Sequence, residues 1–317
     1  MGEKLAVAIY GAGGIGAYYG AKLWGAGHRV AFIARGVHLE AMQRDGLRVV
    51  TADGEIHVDP CEASDDPADI GPVDFVLHTT KMRDLATSIE GCRTLIGGAG
   101  DSGAVVSLQN GVDAEDILRD GLGADRVLGG LAILSAHIEA PGRVEQVGAM
   151  NVLEFGELDR QTSERAERLN AALNESGIEG RLSPDIRTAL WRKFCVLASG
   201  SGLLTVSDAT YGEVREDPDT RAMLAAAIAE GAQVAKAEGV DLGDGYVDSV
   251  LAMVDGFPEE MTASMTVDRR RGKPLELQWF SGAIVRRAER HGIDTPVHRF
   301  LWAALKLCAD GRPAGAS

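Results

Sequence analysis

The sequence predicts an α/β fold, with an N-terminal doubly wound sheet over residues 1–183 followed by an all-α C-terminal domain over 184–317. Three observations predict it. In the first half, short apolar, β-branched runs alternate with helical patterns, and such runs belong to parallel strands covered on both faces. Beyond about Ser163 the strand signal nearly vanishes and helical periods take over. Between the first strand and the first helix stands a glycine-rich turn, Gly11-Ala12-Gly13-Gly14-Ile15-Gly16.

The elements follow in order. Leu5–Tyr10, Arg29–Ala34, Val73–His78, Ala104–Leu108 and Val127–Ile133 read as strands, mostly apolar throughout. Ile15–Gly25 and Ala114–Asp120 read as helices between them. Leu47–Val50 and Glu55–Val58 flank Ala52-Asp53-Gly54, a hairpin signal, and Arg143–Val147 with Asn151–Phe155 reads as a second hairpin. Helical periods then cover Glu164–Ser176, Asp185–Ser199, Asp219–Glu238, Gly245–Val254, Leu275–His291 and Val297–Cys308. Ser183-Pro184-Asp185 has the form of a helix start, Ser183 capping and Pro184 in the first position, and sets the domain boundary. The Gly/Ala/Pro-rich tail from Gly311 is expected to fray.

Composition excludes several classes. The chain has 317 residues, enough for two domains at roughly 100–200 residues each. Its net charge of −15 repels phosphate backbones, so nucleic acid is not an expected partner. The basic run Arg269-Arg270-Arg271-Gly272-Lys273 reads as a solvated helix flank. The apolar stretches are too short and interrupted for a membrane span, and the chain enters its first strand without a separate targeting segment. Four scattered cysteines (Cys61, Cys92, Cys195, Cys308) without a CxxC argue against a disulfide framework or a zinc site, and no metal is expected. A reducing, cytoplasmic setting fits.

The glycine turn is a complete GxGxxG in a strand–turn–helix context, the Rossmann-type dinucleotide fingerprint. Gly11 permits the tight turn, Gly13 lets backbone approach a pyrophosphate, and Gly16 lets helix and strand pack closely; the helix N-terminus offers its N–H groups to phosphate. An NAD site usually carries a carboxylate at the end of the second strand, to bond the ribose 2′-hydroxyl. Here that strand ends Phe32-Ile33-Ala34-Arg35-Gly36, with no acid and with Arg35 placed for a 2′-phosphate. NADP(H) is the expected cofactor.

The chain resembles the ketopantoate reductase (2-dehydropantoate 2-reductase) family over nearly its whole length. The resemblance is carried by the glycine loop, Arg35, Thr79-Thr80-Lys81, Leu108-Gln109-Asn110-Gly111, Ala189-Leu190-Trp191-Arg192-Lys193, Ser264-Met265, the segment Glu276 to Gly282, and His291-Gly292-Ile293 with Pro296. It implies a Rossmann domain, a helical substrate and dimerisation domain, and an active site in the cleft between them. It further implies NADPH-dependent reduction of a 2-oxo acid to a 2-hydroxy acid, and a homodimer as one form of the protein. By the resemblance, Lys81 and Asn110 lie near the nicotinamide half of the cofactor. Both also follow strand carboxyl ends, where ligands of open α/β sheets bind. Ala136 matches a position near the cofactor. Lys193 matches the catalytic lysine: hydride addition builds negative charge on the ketone oxygen, which an ammonium stabilises and can protonate. Glu276 matches the glutamate that holds the lysine and contacts the cofactor ribose. Ser264 matches a substrate contact.

This sequence also departs from the family pattern. Asparagines that bind the polar substrate are replaced by Leu197, Ser201 and Tyr211, and Gln278 stands where an acid is usual. The wall facing the substrate is thus rebuilt with an apolar and an aromatic side chain. Three readings stand: reduction of 2-dehydropantoate to pantoate; action on a less polar 2-oxo or D-2-hydroxy acid; or a non-catalytic NADP-binding regulator. Retention of Lys193 and Glu276 speaks against the last.

Overall fold

A computed structural model of the chain describes residues 3–98 and 103–311. It divides into two compact units, Met1–Asn110 with Ala114–Ile186, and Gly111–Asp113 with Arg187–Ser317. The tail past Gly311 lies outside the described residues.

The first unit is built on β1 (Ala6–Tyr10), β2 (Arg29–Ile33), β3 (Leu47–Thr51), β4 (Gly54–Val58), β5 (Glu62–Ser64), β6 (Phe75–His78), β7 (Ala104–Ser107), β8 (Val127–Ala140), β9 (Arg143–Glu157) and β10 (Glu179–Leu182). Among the described residues these form one sheet in the order β4-β3-β9-β8-β7-β6-β1-β2-β5, with β10 also on β9. β5, β2, β1, β6, β7 and β8 are parallel neighbours. The chain steps from β1 to β2 on one side and later returns with β6 on the other, so β1 and β6 flank the topological switch point. Strands β6 and β7 are fully buried, which explains why they are apolar up to their last residues, His78 and Ser107. The helix α1 (Gly14–Gly25) packs on the sheet, burying Tyr18 and Tyr19, and the Tyr19 hydroxyl donates to the Val152 carbonyl at 2.7 Å.

The structure corrects several expectations. Arg143–Val147 and Asn151–Phe155 do not pair with each other; they are one strand, β9, paired antiparallel with a β8 that runs seven residues beyond Ile133 to Ala140. Gly148, at φ 73°, lies inside that strand and supplied the misleading turn signal. Ser183 is not a helix cap: its N–H donates to the Phe155 carbonyl, prolonging the β10 pairing, and the long helix begins only at Ile186. Three helices of this unit were unread, α2 (Gly36–Asp45), α3 (Pro67–Ile70) and α4 (Met82–Ile96), as were the short strands β5 and β10. The helices α5 (Ala114–Leu122) and α6 (Glu164–Glu175) complete this unit.

The second unit is helical: α7 (Ile186–Ser207), α8 (Tyr211–Glu216), α9 (Pro218–Ala237), α10 (Tyr246–Asp255), α11 (Ser264–Arg270), α12 (Ser281–Arg290) and α13 (Pro296–Leu305). A capping box, Thr210 with Glu213, starts α8, and Asp217 caps α9 ahead of Pro218. The helix expected over Leu275–His291 is instead a 3-10 turn, Leu277–Trp279, and then α12, broken at Phe280 whose φ and ψ are −109° and −102°. The basic run is not simply solvated. Arg269 donates to the Thr205 carbonyl and Arg270 to Asp208, which ties α11 to the end of α7. Buried Arg287 bonds both Asp113 and Glu238, at 2.7 Å each, and so holds the Gly111–Asp113 segment to α12. No helix among the described residues is long and apolar enough to cross a membrane, and none of their His, Cys, Asp and Glu groups could hold a metal ion.

One consequence for stability follows from burial. His78 and His298 are fully buried, and burial pushes both down to about 4. Each stays neutral in the fold while its unfolded counterpart protonates below about 6.5. Stability is therefore full above about pH 6.5 and falls as pH drops toward 4, by on the order of 3 kcal/mol per histidine. Thermal midpoints measured from pH 7.5 to 4.5 should show this loss, and His298→Gln should flatten it; an unchanged slope in that variant refutes the assignment.

Candidate active site

The glycine loop leaves β1 and enters α1 directly. The Gly11 and Ala12 N–H groups both donate to the Ile33 carbonyl at 3.0 Å, closing the turn against β2. Gly11 holds φ 103°, which a side chain would strain. A Cβ on Gly16 would overlap Thr79, the Gly11 carbonyl and Ile9, and one on Gly14 would overlap the Ala136 carbonyl. Gly13 is different: a Cβ there would meet nothing within 4 Å, so this point of the loop is open. Gly13 caps α1 without any side-chain bond to the first-turn N–H groups of Gly14, Ile15 and Gly16. An open backbone face beside uncapped N–H groups fits a pyrophosphate.

Other expected cofactor residues gather around this loop. The Thr79 hydroxyl donates to the Gly11 carbonyl at 2.6 Å, joining the end of β6 to the loop. Ala136, from β8, meets the loop at Gly14. Arg35 stands two residues past β2, exposed, just before α2, and its guanidinium lies 3.4 Å from Asp84 on α4. Lys81 begins α4 directly after β6 and is exposed. Asn110 stands three residues past β7, half-buried.

Behind these segments lies a polar cluster that sequence reasoning missed. Gln109 Nε2 is 2.5 Å from His78 Nδ1, and His78 Nε2 is 2.6 Å from Ser88 Oγ. The Ser107 hydroxyl donates to Gln109 Oε1 at 3.0 Å, and Ser88 donates to the Leu85 carbonyl at 2.6 Å. Tyr10 stacks on His78, with ring centroids 5.1 Å apart. A histidine closing the otherwise apolar strand Phe75–His78 was the available signal.

In the helical unit, α7 carries Lys193, Leu197 and Ser201 at four-residue spacing, hence along one face. Burial pushes the Lys193 ammonium down to about 8. Leu197 is half-buried and Ser201 buried. Tyr211 starts α8 and is buried, and a Cβ on Gly200 would overlap its hydroxyl, so the phenol lies directly on α7 one turn beyond Leu197. Its ring packs edge-on against Phe257 at 5.0 Å, and burial raises its pKa to about 12, so it remains a donor. The hydroxyl has no hydrogen-bond partner among the described residues. The Gly200 requirement was not read from sequence, although a glycine inside a helical period is a recognised sign of close approach. Ser264 begins α11, exposed, and the next turn is tied to α7 by Thr266 and Thr205 hydroxyls 3.1 Å apart. Glu276 is half-buried at the start of the 3-10 turn, not in the first turn of a helix.

A dinucleotide-type loop on a doubly wound sheet, followed by a helical unit whose α7 carries a half-buried lysine, matches the plan of a nicotinamide-dependent oxidoreductase. The sequence matches the family described as Ketopantoate reductase PanE/ApbA over residues 7–160, and its C-terminal counterpart over 185–309. A 2-dehydropantoate 2-reductase of Archaeoglobus fulgidus is 33% identical over 296 residues, 93% of this chain and 95% of that protein. One from Mycobacterium tuberculosis is 30% identical, covering 96% of this chain and 98% of its own. Among solved structures, a PanE/ApbA family ketopantoate reductase from Ralstonia eutropha superposes with a TM-score of 0.87 at 31% identity, over 96% of this chain and 98% of that one. A D-mandelate dehydrogenase solved with NADH and anilino(oxo)acetate gives 0.85 at 26% identity, over 96% and 98%. The chain belongs to the ketopantoate reductase family, whose reaction class is oxidoreduction at a CH–OH centre.

Proposed function

We propose that the chain reduces a 2-oxo acid with an apolar or aromatic side chain to the 2-hydroxy acid, using NADPH. The observation that carries this reading is the α7 face: Lys193, then Leu197, then the Tyr211 phenol seated on Gly200. The D-mandelate dehydrogenase, which takes an aromatic 2-hydroxy acid and was solved with an aryl-bearing 2-oxo compound, supports it.

When bound, the reduced nicotinamide supplies the hydride. The glycine loop would hold the pyrophosphate, and the resemblance assigns Lys81, Asn110 and Ala136 to the rest of the dinucleotide. Lys193 donates a hydrogen bond to the substrate oxygen, stabilises the charge that develops there, and delivers the proton. The family resemblance assigns Glu276 to holding the lysine and contacting the cofactor ribose. Leu197, Ser201, Tyr211 and Ser264 shape the pocket for the side chain and carboxylate. The residues 184–317 serve as substrate domain and 1–183 as cofactor domain. A panel of ketopantoate, branched-chain and aromatic 2-oxo acids, followed by NADPH absorbance, tests the reading. It fails if no 2-oxo acid is reduced.

Cofactor choice rests on Arg35 and on the absence of an acid among Ile33, Ala34 and Arg35 at the end of β2. NADPH should bind more tightly than NADH. Because the Arg35 side chain is 73% exposed, the gap should lie near the lower end for a charge-assisted pair, about tenfold. Arg35→Ala should narrow it, and Asp84→Asn should widen it by removing a carboxylate that competes for the guanidinium. Equal affinities of the unmodified protein for NADH and NADPH sink the idea.

A further inference from the structure

We propose that His78 and Gln109, with Tyr10 stacked above, are positioning residues that fix the three strand ends of the cofactor cradle relative to one another. The proposal rests on the dinucleotide reading of the glycine loop. Three adjacent strands, β1, β6 and β7, end side by side. Tyr10 is the residue before Gly11, His78 the residue before Thr79, and Gln109 the residue before Asn110. Tyr10, His78 and Gln109 are therefore each one peptide bond from a segment assigned to the cofactor.

The hydrogen bonds run in a single direction. Ser107 donates to the Gln109 carbonyl oxygen, and the Gln109 amide donates to His78 Nδ1. His78 Nδ1 is thus the acceptor, which leaves the proton on Nε2, facing Ser88 Oγ. Ser88 donates its own hydroxyl to the Leu85 carbonyl, inside α4, the helix that follows Lys81. Every polar atom in the chain of contacts is paired, and His78, Ser107 and Ser88 are almost fully buried, with Gln109 5% exposed. Neighbouring positions of these strands carry Val, Leu and Phe, so apolar side chains would fill the space. A buried network that is fully satisfied specifies one arrangement rather than several. Here the fixed arrangement includes the Thr79 hydroxyl on the Gly11 carbonyl, at 2.6 Å. A displaced His78 carries Thr79 with it and loosens the loop. Such support holds a site within the fraction of an ångström that binding requires.

The test uses the full-length protein and measures the NADPH dissociation constant by fluorescence titration without substrate, along with kcat, both KM values and the thermal midpoint. His78→Leu and Gln109→Leu each leave buried polar partners unpaired and should raise the NADPH dissociation constant about tenfold. The turnover number at saturating NADPH and the KM for the 2-oxo acid should change much less. His78→Asn, whose side-chain oxygen can occupy the Nδ1 position and accept from Gln109, should recover most of the affinity. Ser88→Ala touches only the far end of the chain and should weaken NADPH binding in a smaller measure, should the leucine variants fail to fold. If these folded variants lose thermal stability but bind NADPH as the parent does, the cluster is merely structural and the proposal falls. A parent that binds neither NADPH nor NADH overturns instead the cofactor reading beneath it.

Discussion

Lys193→Ala is expected to lower turnover of 2-oxo acids by about 10²–10³-fold, the typical cost of one donor at a developing oxyanion. NADPH affinity should fall only modestly, since the lysine acts on the oxygen of the substrate. The pH profile gives the sharper signature. An ammonium pushed down to about 8 by burial is mostly protonated at pH 7 and mostly neutral at pH 9. Reduction consumes that proton, so kcat/KM for the 2-oxo acid should be level below about pH 7 and decline above about 8. Oxidation of the 2-hydroxy acid needs the neutral amine and should rise across the same range. Lys193→Arg keeps a charge but cannot deprotonate, so residual reduction in that variant should lose the alkaline decline. If Lys193→Ala reduces ketones at the parent rate, or keeps the same alkaline limb, the proton donor is another group.

What could be read from sequence followed the physics of each signal. β1, the glycine turn and α1 were legible because apolar strand, tight glycine turn and helix start agree over a few consecutive residues. The helices α6, α9 and α13 were legible by period. α2 and α4 were not, because α2 has only three buried positions, Leu39, Ala41 and Met42, and the buried face of α4 includes Ser88 and Cys92 among its apolar residues. The hairpin reading of 143–155 failed because a positive-φ glycine can sit within a long strand as well as at its end. At the site, residues that act singly, such as Arg35 and Lys193, were nameable. His78 with Gln109, and Gly200 with Tyr211, are pairs 31 and 11 residues apart. Their meaning lies in a contact, and no local pattern encodes it.

Substrate choice is the second large effect. The unmodified protein should prefer an apolar or aromatic 2-oxo acid and turn over ketopantoate poorly. Leu197 offers no hydrogen bond along the face that Lys193 begins, and the Tyr211 phenol offers a single one. A substrate hydroxyl left unpaired against such a wall costs about 1–3 kcal/mol, or roughly tenfold to a hundredfold in kcat/KM. An aryl or branched alkyl group meets the same wall without that cost, and an aryl group gains edge contacts with the Tyr211–Phe257 pair. Leu197→Asn should shift the ratio of kcat/KM toward ketopantoate. Ser201→Asn should add to it, but Ser201 is 3% exposed, and a larger side chain there risks overpacking worth about 1–3 kcal/mol. The single Leu197 variant is therefore the cleaner probe, and the double variant is interpretable only with its thermal midpoint alongside. Tyr211→Phe should leave aromatic substrates nearly unaffected while depressing any that use the phenol. If the unmodified protein reduces ketopantoate with a kcat/KM above every other acid in the panel, the apolar reading of this wall is wrong. The missing hydrogen bonds would then have to come from Ser264 or the Arg269–Arg271 run, and Ser264→Ala would expose them.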